Sequence, residues 1–283
     1  MIGSLTGRIA LITGSSRGIG ATIAKTLAGD GCTVIITGKS VVENIKLPGT
    51  VYSTADEINR KNQGKAIAYP LDITDDNECK IAVDHVINKY GKIDFLINNA
   101  SAMWWKPISE TPVSKFDLLH NVNVRATYNL CHHVIPHMLC NKFGHIITHS
   151  PPLTVGYLDK MLQGGWMNNR VAYTSSKIGM SLVSMALAEE LNNTGIAVNT
   201  IWPKTAIDTS ALRNNNFQNG KMFRKPIIIA DMVKYLVKED PNDFTGHGLI
   251  DQQYLQKKGV TDFSIYRCHP EHEPPDLEDI LKI

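Results

Sequence analysis

The sequence predicts one domain in which helices cover both faces of a parallel β-sheet. Short apolar runs alternate with stretches of helical periodicity along most of the 283 residues. A glycine-rich turn joins the first apolar run to the first helical stretch, and a later helical stretch carries Tyr173 and Lys177. These observations predict an open, doubly wound α/β sheet of seven parallel strands, with residues 1–283 forming a single domain.

Seven apolar runs are predicted to be the strands, at residues 8–13, 33–37, 66–70, 93–97, 145–149, 196–201 and 248–251. Apolar positions three and four apart predict the helices. The first helix follows the glycine-rich turn and ends near Leu27. The others are predicted at residues 53–62, 76–90, 111–140 (with a break near His120), 171–191 and 226–238. Asp56 and Glu57 are placed in the first turn of the helix at 53–62, where the helix dipole favours acids.

Three segments between or after these elements are predicted to be less regular. Residues 41–50 and 151–170 form long connections. Residues about 203–226 are expected to be a lid beside the site, because their sequence has the character of a mobile loop. The proline- and acid-rich tail, residues about 269–283, is expected to be irregular.

The turn after the first strand has the composition of a nucleotide-binding loop. Residues 14–20 read Gly-Ser-Ser-Arg-Gly-Ile-Gly. Glycines let the backbone approach a pyrophosphate, and the N-terminus of the next helix attracts its charge. The position of this turn, between a strand and a helix, therefore predicts a nucleotide site.

The end of the second strand indicates which nucleotide is bound. Enzymes that bind a free 2′-hydroxyl place an acid there, whereas this chain has Gly38-Lys39-Ser40. Lys39 is suited to a 2′-phosphate, and Arg17 in the glycine-rich turn is placed to join it. The alternative is that both are solvated surface charges. The pattern favours NADP(H) over NAD(H).

Polar residues also follow the third and fourth strands, at the sheet edge where such folds bind ligands. Asp72 follows the third strand, and its alternative role is to cap a helix. Asn98-Asn99-Ala100 follows the fourth strand and suits close packing against a nucleoside. Asn123, inside a helical stretch, either stabilises a bend or serves as a relay.

Tyr173 and Lys177 are the pair with the clearest chemical potential. Residues four apart on a helix share one face, so the phenol and the ammonium can meet one partner. A nearby cation lowers the pKa of a tyrosine, which makes Tyr173 a candidate proton donor to a carbonyl. The alternative is a chance pair, since this spacing is common on helices.

Composition excludes several other classes of protein. The net charge of +2 and the lack of a basic cluster argue against nucleic acid. No apolar run is long enough to span a membrane. The five scattered cysteines, the lack of a signal peptide and a C-terminus that is not Ser-Lys-Leu predict the cytoplasm or an organelle matrix. His132, His133 and His137 lack a partner to complete a metal site, so no metal is expected.

Together these motifs resemble the short-chain dehydrogenase/reductase family, whose fold is of the Rossmann type. The match consists of Thr13-Gly14-x-x-x-Gly18-x-Gly20, Asp72, Asn98-Asn99-Ala100, Asn123 and Tyr173-x-x-x-Lys177, in order and at the family's spacing. The resemblance implies that Tyr173 transfers the proton, Lys177 holds the nicotinamide ribose and lowers the tyrosine pKa, and Asn123 anchors a relay water. Asp72 would contact adenine and Asn99 the adenosine ribose. The implied cofactor-binding set is Thr13, Gly14, Ser16, Arg17, Gly18, Ile19, Gly20, Lys39, Asp72, Ile73, Asn99, Ala100, Tyr173, Lys177 and Pro203.

The sequence departs from the family pattern at two places. The catalytic serine of the family is usually the second of a Ser-Ser pair, and that position is Pro151 here, which leaves Ser150 as the candidate. A shift by one residue normally turns a strand side chain to the other face, but the two following prolines could redirect the chain, and we expect Ser150 to make the catalytic contact. The usual Pro-Gly after the sixth strand is Pro203-Lys204, so Lys204 could change cofactor and substrate contacts.

The leading hypothesis is an NADP(H)-dependent oxidoreductase that acts on a carbonyl or alcohol carbon of an apolar small molecule. Candidates for an apolar pocket are Trp104, Trp105, Tyr157, Met161 and Trp166, although the two adjacent tryptophans could instead pack onto the core. The replacement at Pro151 leaves an NADP-binding sensor or scaffold with little turnover as an alternative, and an elimination or isomerisation enzyme is a third possibility. The resemblance also implies a homodimer or homotetramer.

Overall fold

We analysed a computed structural model that describes residues 4–61, 64–163, 165, 167–214 and 220–280. The main sheet has seven parallel strands, β1 (Ile9–Ile12), β2 (Thr33–Gly38), β3 (Lys65–Pro70), β4 (Phe95–Asn98), β5 (Gly144–His149), β6 (Ile196–Trp202) and β9 (Gly248–Ile250). Their order across the sheet is β3-β2-β1-β4-β5-β6-β9, and a small parallel pair, β7 (Ala206–Ile207) and β8 (Phe223–Arg224), lies outside it. The predicted α/β fold with seven parallel strands is confirmed.

Eleven α-helices occur in the described part of the chain. They are α1 (Gly18–Gly29), α2 (Val51–Arg60), α3 (Asp76–Tyr90), α4 (Val113–His120), α5 (Ala126–Asn141), α6 (Val155–Gln163), α7 (Val171–Glu190), α8 (Ser210–Arg213), α9 (Ile227–Leu236), α10 (Asp251–Lys257) and α11 (Leu277–Ile280). A π-helical turn, Asn121–Arg125, joins α4 to α5 and accounts for the predicted break.

The alternation of side chains along the strands builds a core on each face of the sheet. In β1, Ala10 and Ile12 pack in the cluster that contains α1, α2 and α9. Ile9 and Leu11 point the other way and pack with α3, α5 and α7. Burial on both faces explains why the parallel strands appear in the sequence as continuous apolar runs.

Several predicted boundaries are wrong for local physical reasons. Helix α2 begins at Val51, because Thr50 and Ser53 form a reciprocal capping box, so Asp56 and Glu57 do not lie in its first turn. The connection at 151–170 contains α6, and the tail, expected to be irregular, contains α11. The lid region contains β7, α8 and β8, while residues 215–219 and 281–283 lie outside the described part of the chain. No described helix is long and apolar enough to cross a membrane.

Candidate active site

A cavity of about 560 Å³ lies at the carboxyl ends of β1, β2, β4, β5 and β6. This is the edge at which open parallel sheets bind their ligands. All of the predicted cofactor-binding residues except Thr13 line it, namely Gly14, Ser16, Arg17, Gly18, Ile19, Gly20, Lys39, Asp72, Ile73, Asn99, Ala100, Tyr173, Lys177 and Pro203. The structure therefore brings together residues that are up to 189 positions apart in the sequence (203 minus 14).

The glycine-rich turn has the backbone geometry that a pyrophosphate requires. Gly14 and Gly18 have φ of 61° and 57°, in the left-handed region that favours glycine. A Cβ on Gly20 would lie 2.5 Å from the carbonyl oxygen of Gly14. Arg17 is the N-cap of α1 and makes no side-chain capping bond, so no side-chain cap occupies the end of this helix. These features fit a dinucleotide phosphate group.

Thr13 lies beneath the cavity and fixes its floor. Its hydroxyl donates to the carbonyl of Ile97 and accepts from the backbone N–H groups of Asn99 and Ala100. The amide of Asn99 in turn donates to the carbonyls of Thr13 and Gly14, at 3.0 and 3.3 Å. Thr13 and Asn99 thus tie the end of β4 to the glycine-rich turn.

The cations predicted to select NADP(H) lie at one end of the cavity. Lys39 Nζ is 2.6 Å from Asp72 Oδ2, and the lysine side chain remains 70% exposed. The Arg17 guanidinium donates to Ser40 Oγ at 2.7 Å and to the carbonyls of Pro48 and Gly49. Ser40 also lines the cavity, and its position directly after Lys39 at a strand end was the signal that could have predicted it.

Asp72 was assigned two alternative roles from the sequence, and its role as a helix cap is excluded. The N-cap of α3 is Asp75, whose side chain accepts from Glu78 N. Asp72 Oδ1 instead accepts from the backbone and hydroxyl of Thr74. Burial raises the pKa of Asp72, but the bonds from Lys39 and Thr74 outweigh it and hold the pKa below its usual value. Asp72 is therefore a carboxylate at neutral pH.

Lys177 is a buried amine in the wall of the cavity. Its side chain donates to the carbonyl oxygen of His149 at 2.5 Å. Burial lowers the pKa of Lys177 to about 7. Without a cofactor the amine therefore exchanges a proton near neutral pH.

Tyr173 lies in the same cavity, but its acidity differs from the sequence-based expectation. Burial raises the pKa of Tyr173 above its usual value, and the opposing effect comes from Arg170 and not from Lys177. The guanidinium of Arg170 stacks over Trp105 at 5.0 Å, and Trp105 meets Tyr173 edge to face at 6.0 Å between ring centroids. The predicted lowering by Lys177 is not found, because burial is the largest effect on this pKa and Lys177 is not among its causes.

Asn123 lies behind the cavity, in the π-turn between α4 and α5. Its side-chain oxygen accepts from Ala102 N at 2.8 Å, and its amide donates to the carbonyl of Ala102 and to Ser176 Oγ. Asn123 therefore joins the loop after β4 to helix α7. These bonds hold the π-turn in place, which is the bend-stabilising role suggested by the sequence.

The hydroxyl of Ser150 is not brought to the cavity. Ser150 is fully buried, and its Oγ has no hydrogen-bond partner among the described residues. Its backbone N–H donates to Thr148 and Ile201, which keeps the chain on the line of β5. The prolines that follow do not redirect this side chain into the cavity, whose described lining lacks Ser150.

His149, one residue earlier, occupies the position that faces the cavity. The Asn99 amide nitrogen already donates to two carbonyls, so its oxygen is the atom 3.4 Å from His149 Nδ1. That oxygen can only accept, which places the proton of the imidazole on Nδ1 and leaves Nε2 as an acceptor. Burial and Lys177 lower the pKa of His149 to about 3, so the ring is neutral.

The opposite end of the cavity is apolar. Its walls include Met103, Trp105, Leu118, Val122, Trp202, Ala206, Ile207, Leu212 and Leu277. Of the aromatic and apolar candidates predicted from the sequence, Trp105 lines the cavity, whereas Trp104, Tyr157 and Met161 pack in the cluster behind it. Trp166 lies outside the described residues. The sequence argument missed Trp202, although it ends β6 at the ligand-binding edge.

Comparison with known proteins identifies the family. The family pattern described as short chain dehydrogenase matches residues 8–219. The chain belongs to the short-chain dehydrogenase/reductase family. This confirms the resemblance drawn from the motifs and shows an oxidoreductase fold.

Two relatives and two solved structures place the chain more closely. It is 41% identical over 280 residues to hydroxysteroid dehydrogenase-like protein 2 of Danio rerio, covering 99% of this chain and 65% of that relative. It is 39% identical over 274 residues to the Homo sapiens protein of the same name, covering 95% of this chain and 62% of that relative. A short chain dehydrogenase of Mycobacterium thermoresistibile superposes with a TM-score of 0.86 at 38% identity, covering 96% of this chain and 95% of that chain.

The second structure is the complex of a metagenomic short-chain oxidoreductase with NADP. It superposes with a TM-score of 0.69 at 28% identity and covers 87% of this chain and 97% of that chain. The present chain spans about two thirds of the length of the relatives from fish and human, so their full activities are not assigned to it.

Proposed function

We propose that the protein is an NADP(H)-dependent oxidoreductase that transfers a hydride between the nicotinamide and a carbonyl or alcohol carbon of an apolar substrate. The observation that carries the proposal is a shared cavity, in which Tyr173 and Lys177 face the same space as the glycine-rich turn. The bound cofactor would supply the hydride. The chain supplies position and the proton.

The proposal assigns a role to each group in the cavity. The glycine-rich turn and the N-terminus of α1 bind the pyrophosphate. Lys177 holds the ribose, and Tyr173 donates or accepts the proton at the substrate oxygen. Asn123 and Thr13 maintain the loop after β4, which forms one wall. The apolar walls around Trp105 and Trp202 favour a substrate with little polarity near its reacting carbon.

The preference for NADP(H) rests on the charges beside the end of β2. Lys39, Ser40 and Arg17 all line the cavity there, and Arg17 donates to Ser40 Oγ. Phosphate prefers such charge-assisted donors. The structural neighbour in complex with NADP supports the same choice.

The decisive experiment is Tyr173→Phe, assayed with NADPH and a panel of ketones, aldehydes and quinones. We expect turnover to fall by about 10²–10⁴, since the proton donor is lost, while the Kd for NADPH stays within about threefold. Tyr157→Phe is the matched control, because Tyr157 packs behind the cavity. Near-normal turnover in Tyr173→Phe would contradict the mechanism.

Cofactor choice is tested with Lys39→Ala, by fluorescence titration of NADPH and NADH. Loss of one charge-assisted bond, about 1.5–3 kcal/mol, should weaken NADPH about 10–150-fold and leave NADH nearly unchanged. Lys46→Ala controls for general loss of charge, because Lys46 lies exposed in the neighbouring loop. Equal weakening of both cofactors would show that Lys39 does not select the phosphate.

A nucleotide-binding protein with little turnover is the second candidate. Two observations favour it, the absence of the Ser150 hydroxyl from the cavity and the raised pKa of Tyr173. Tight NADPH binding without oxidation of NADPH by any member of the substrate panel would support this candidate and exclude the first.

A further inference from the structure

The C-terminal segment at residues 266–280, which includes the described part of the tail, runs along the lid residues and returns to the cavity. Tyr266 and Cys268 pair with the backbone around β8, through bonds from Lys225 N to Tyr266 O at 2.7 Å and from Cys268 N to Phe223 O at 3.1 Å. Farther along, Asp276 forms an antiparallel bridge with Thr205. The tail therefore follows the lid at two places that are separated in the sequence.

One ion pair anchors the tail from inside the protein. The side chain of Arg224 is fully buried, and its NH2 group lies 2.5 Å from Glu273 Oε1. Its Nε and NH1 groups have no hydrogen-bond partner among the described residues. A buried cation is costly unless it is paired, and the tail brings the Glu273 carboxylate to Arg224 in addition to the nearby charge of Asp251.

Lys204 anchors the tail a second time, beside the cavity. Its carbonyl accepts from Leu277 N at 2.7 Å, and its ammonium lies 3.4 Å from Asp276 Oδ1. Its own N–H donates to the buried Asp251 at 2.9 Å, which fixes Lys204 from the other side. The family pattern that the sequence resembles usually has glycine at the position of Lys204, and glycine has no side chain to pair with Asp276.

These anchors place Leu277 in the wall of the cavity. Its side chain is 8% exposed and packs in the same apolar cluster as Tyr173, Trp202 and Leu212. The neighbouring residue Asp276 is partly exposed and remains on the outside with Lys204. The tail thus presents one apolar side chain to the space next to the candidate proton donor.

We infer that Leu277 is a specificity-determining residue that limits the size of the substrate, and that the Lys204–Asp276 pair positions it. The inference rests on the proposed function for its substrate class, an apolar carbonyl compound. Glycine in place of Lys204 would leave the backbone bond to Leu277 but not the ion pair. On this inference the family departure at Lys204 serves substrate selection.

The first test varies the volume of the wall. Leu277→Ala and Leu277→Phe are compared with wild type for kcat/KM on unbranched methyl ketones of increasing chain length with NADPH. One methylene in an apolar pocket changes discrimination about 10–200-fold. We expect Leu277→Ala to raise the ratio of kcat/KM for long ketones to kcat/KM for short ketones at least tenfold, and Leu277→Phe to lower this ratio. An unchanged ratio in both variants would overturn the inference.

The second test exchanges the charges of the positioning pair. Lys204→Asp and Asp276→Lys alone should shift the chain-length ratio in the direction of Leu277→Ala, mainly through KM. The double variant restores an ion pair and should return the ratio to within about threefold of wild type. Single variants with the wild-type ratio, or a double variant without recovery, would exclude a positioning role for this pair.

Binding separates failure of the inference from failure of the proposed function. If wild type reduces no ketone, the proposed function fails, and the wall is then tested by quenching of tryptophan fluorescence with the same ketones in the presence of NADPH. A change of at least tenfold in the ratio of long- to short-ketone Kd values between wild type and Leu277→Ala would support the wall. Equal ratios would overturn it.

Discussion

Replacement of the buried amine, Lys177→Met, should stabilise the cofactor-free protein while it removes activity. Burial lowers the pKa of Lys177 from 10.5 to about 7. At 1.36 kcal/mol per unit, the charged form therefore costs about 5 kcal/mol of folding free energy at low pH and about 4 kcal/mol at pH 7. Methionine has a similar length and carries no charge.

Part of this gain is offset by a lost hydrogen bond. Lys177 donates to the carbonyl oxygen of His149, and an unpaired buried acceptor costs about 1–3 kcal/mol. The net stabilisation at pH 7 is therefore about 1–3 kcal/mol, which corresponds to an increase of roughly 2–12 °C in Tm for a domain of this size.

The pH dependence gives the sharper test. Because the folded-state pKa is depressed, Lys177 costs no folding free energy above pH 10.5, where it is neutral in both the folded and the unfolded state. The cost grows as pH falls, and it approaches its full value as pH falls through the folded pKa of about 7. The stability difference between variant and wild type should therefore narrow by about 2 kcal/mol from pH 7 to pH 9.

Urea unfolding of the cofactor-free proteins at both pH values measures this difference. Lys61→Met is the control, because Lys61 is exposed at the end of α2. A Lys177→Met variant that is less stable than wild type at both pH values, with a difference independent of pH, would refute the reasoning.

Two further predictions concern the serine after β5 and the assembly. Ser150→Ala should change the steady-state kcat less than about threefold, because the Ser150 hydroxyl is buried away from the cavity. A fall in kcat of roughly 10²–10³ would instead support the catalytic role suggested by the sequence, in which Ser150 stabilises the substrate oxygen. The protein should sediment as a dimer or tetramer at micromolar concentration, because Tyr128 on α5 and Leu182 on α7 are 60% and 58% exposed; a particle of 31 kDa would exclude this.

The sequence predicted best those features that depend on neighbours in the chain. The glycine-rich turn, the seven strands and the helix with Tyr173 and Lys177 each have a local signal of composition or period. The start of α2 was missed because its capping box uses Ser53 in place of the usual Glu or Gln.

Features that depend on the tertiary fold were not predictable in the same way. Lys39 and Asp72 were assigned separate ligands, although β2 and β3 are neighbours in the sheet and bring the two side chains together. The pKa of Tyr173 was expected to fall because its charged neighbours could be counted from the sequence, whereas its burial could not. The bridge between Thr205 and Asp276 joins residues 71 positions apart (276 minus 205), with no local signal at either end.

The π-turn at Asn121–Arg125 has a consequence for changes in chain length. It acts as a one-residue insertion in an otherwise continuous helix from residue 113 to 141. Such a turn absorbs its extra residue without rotating the helices on either side, so deleting one residue inside it would restore regular winding and keep α4 and α5 in their present orientation. Asn123 would then lose the bulged position from which it bonds Ala102. Deleting a residue of the regular helix between Leu119 and the turn would instead rotate the preceding part of α4 by about 100° and carry Leu119 out of its cluster. This stretch therefore accepts exchange of exposed side chains far more readily than the gain or loss of a residue.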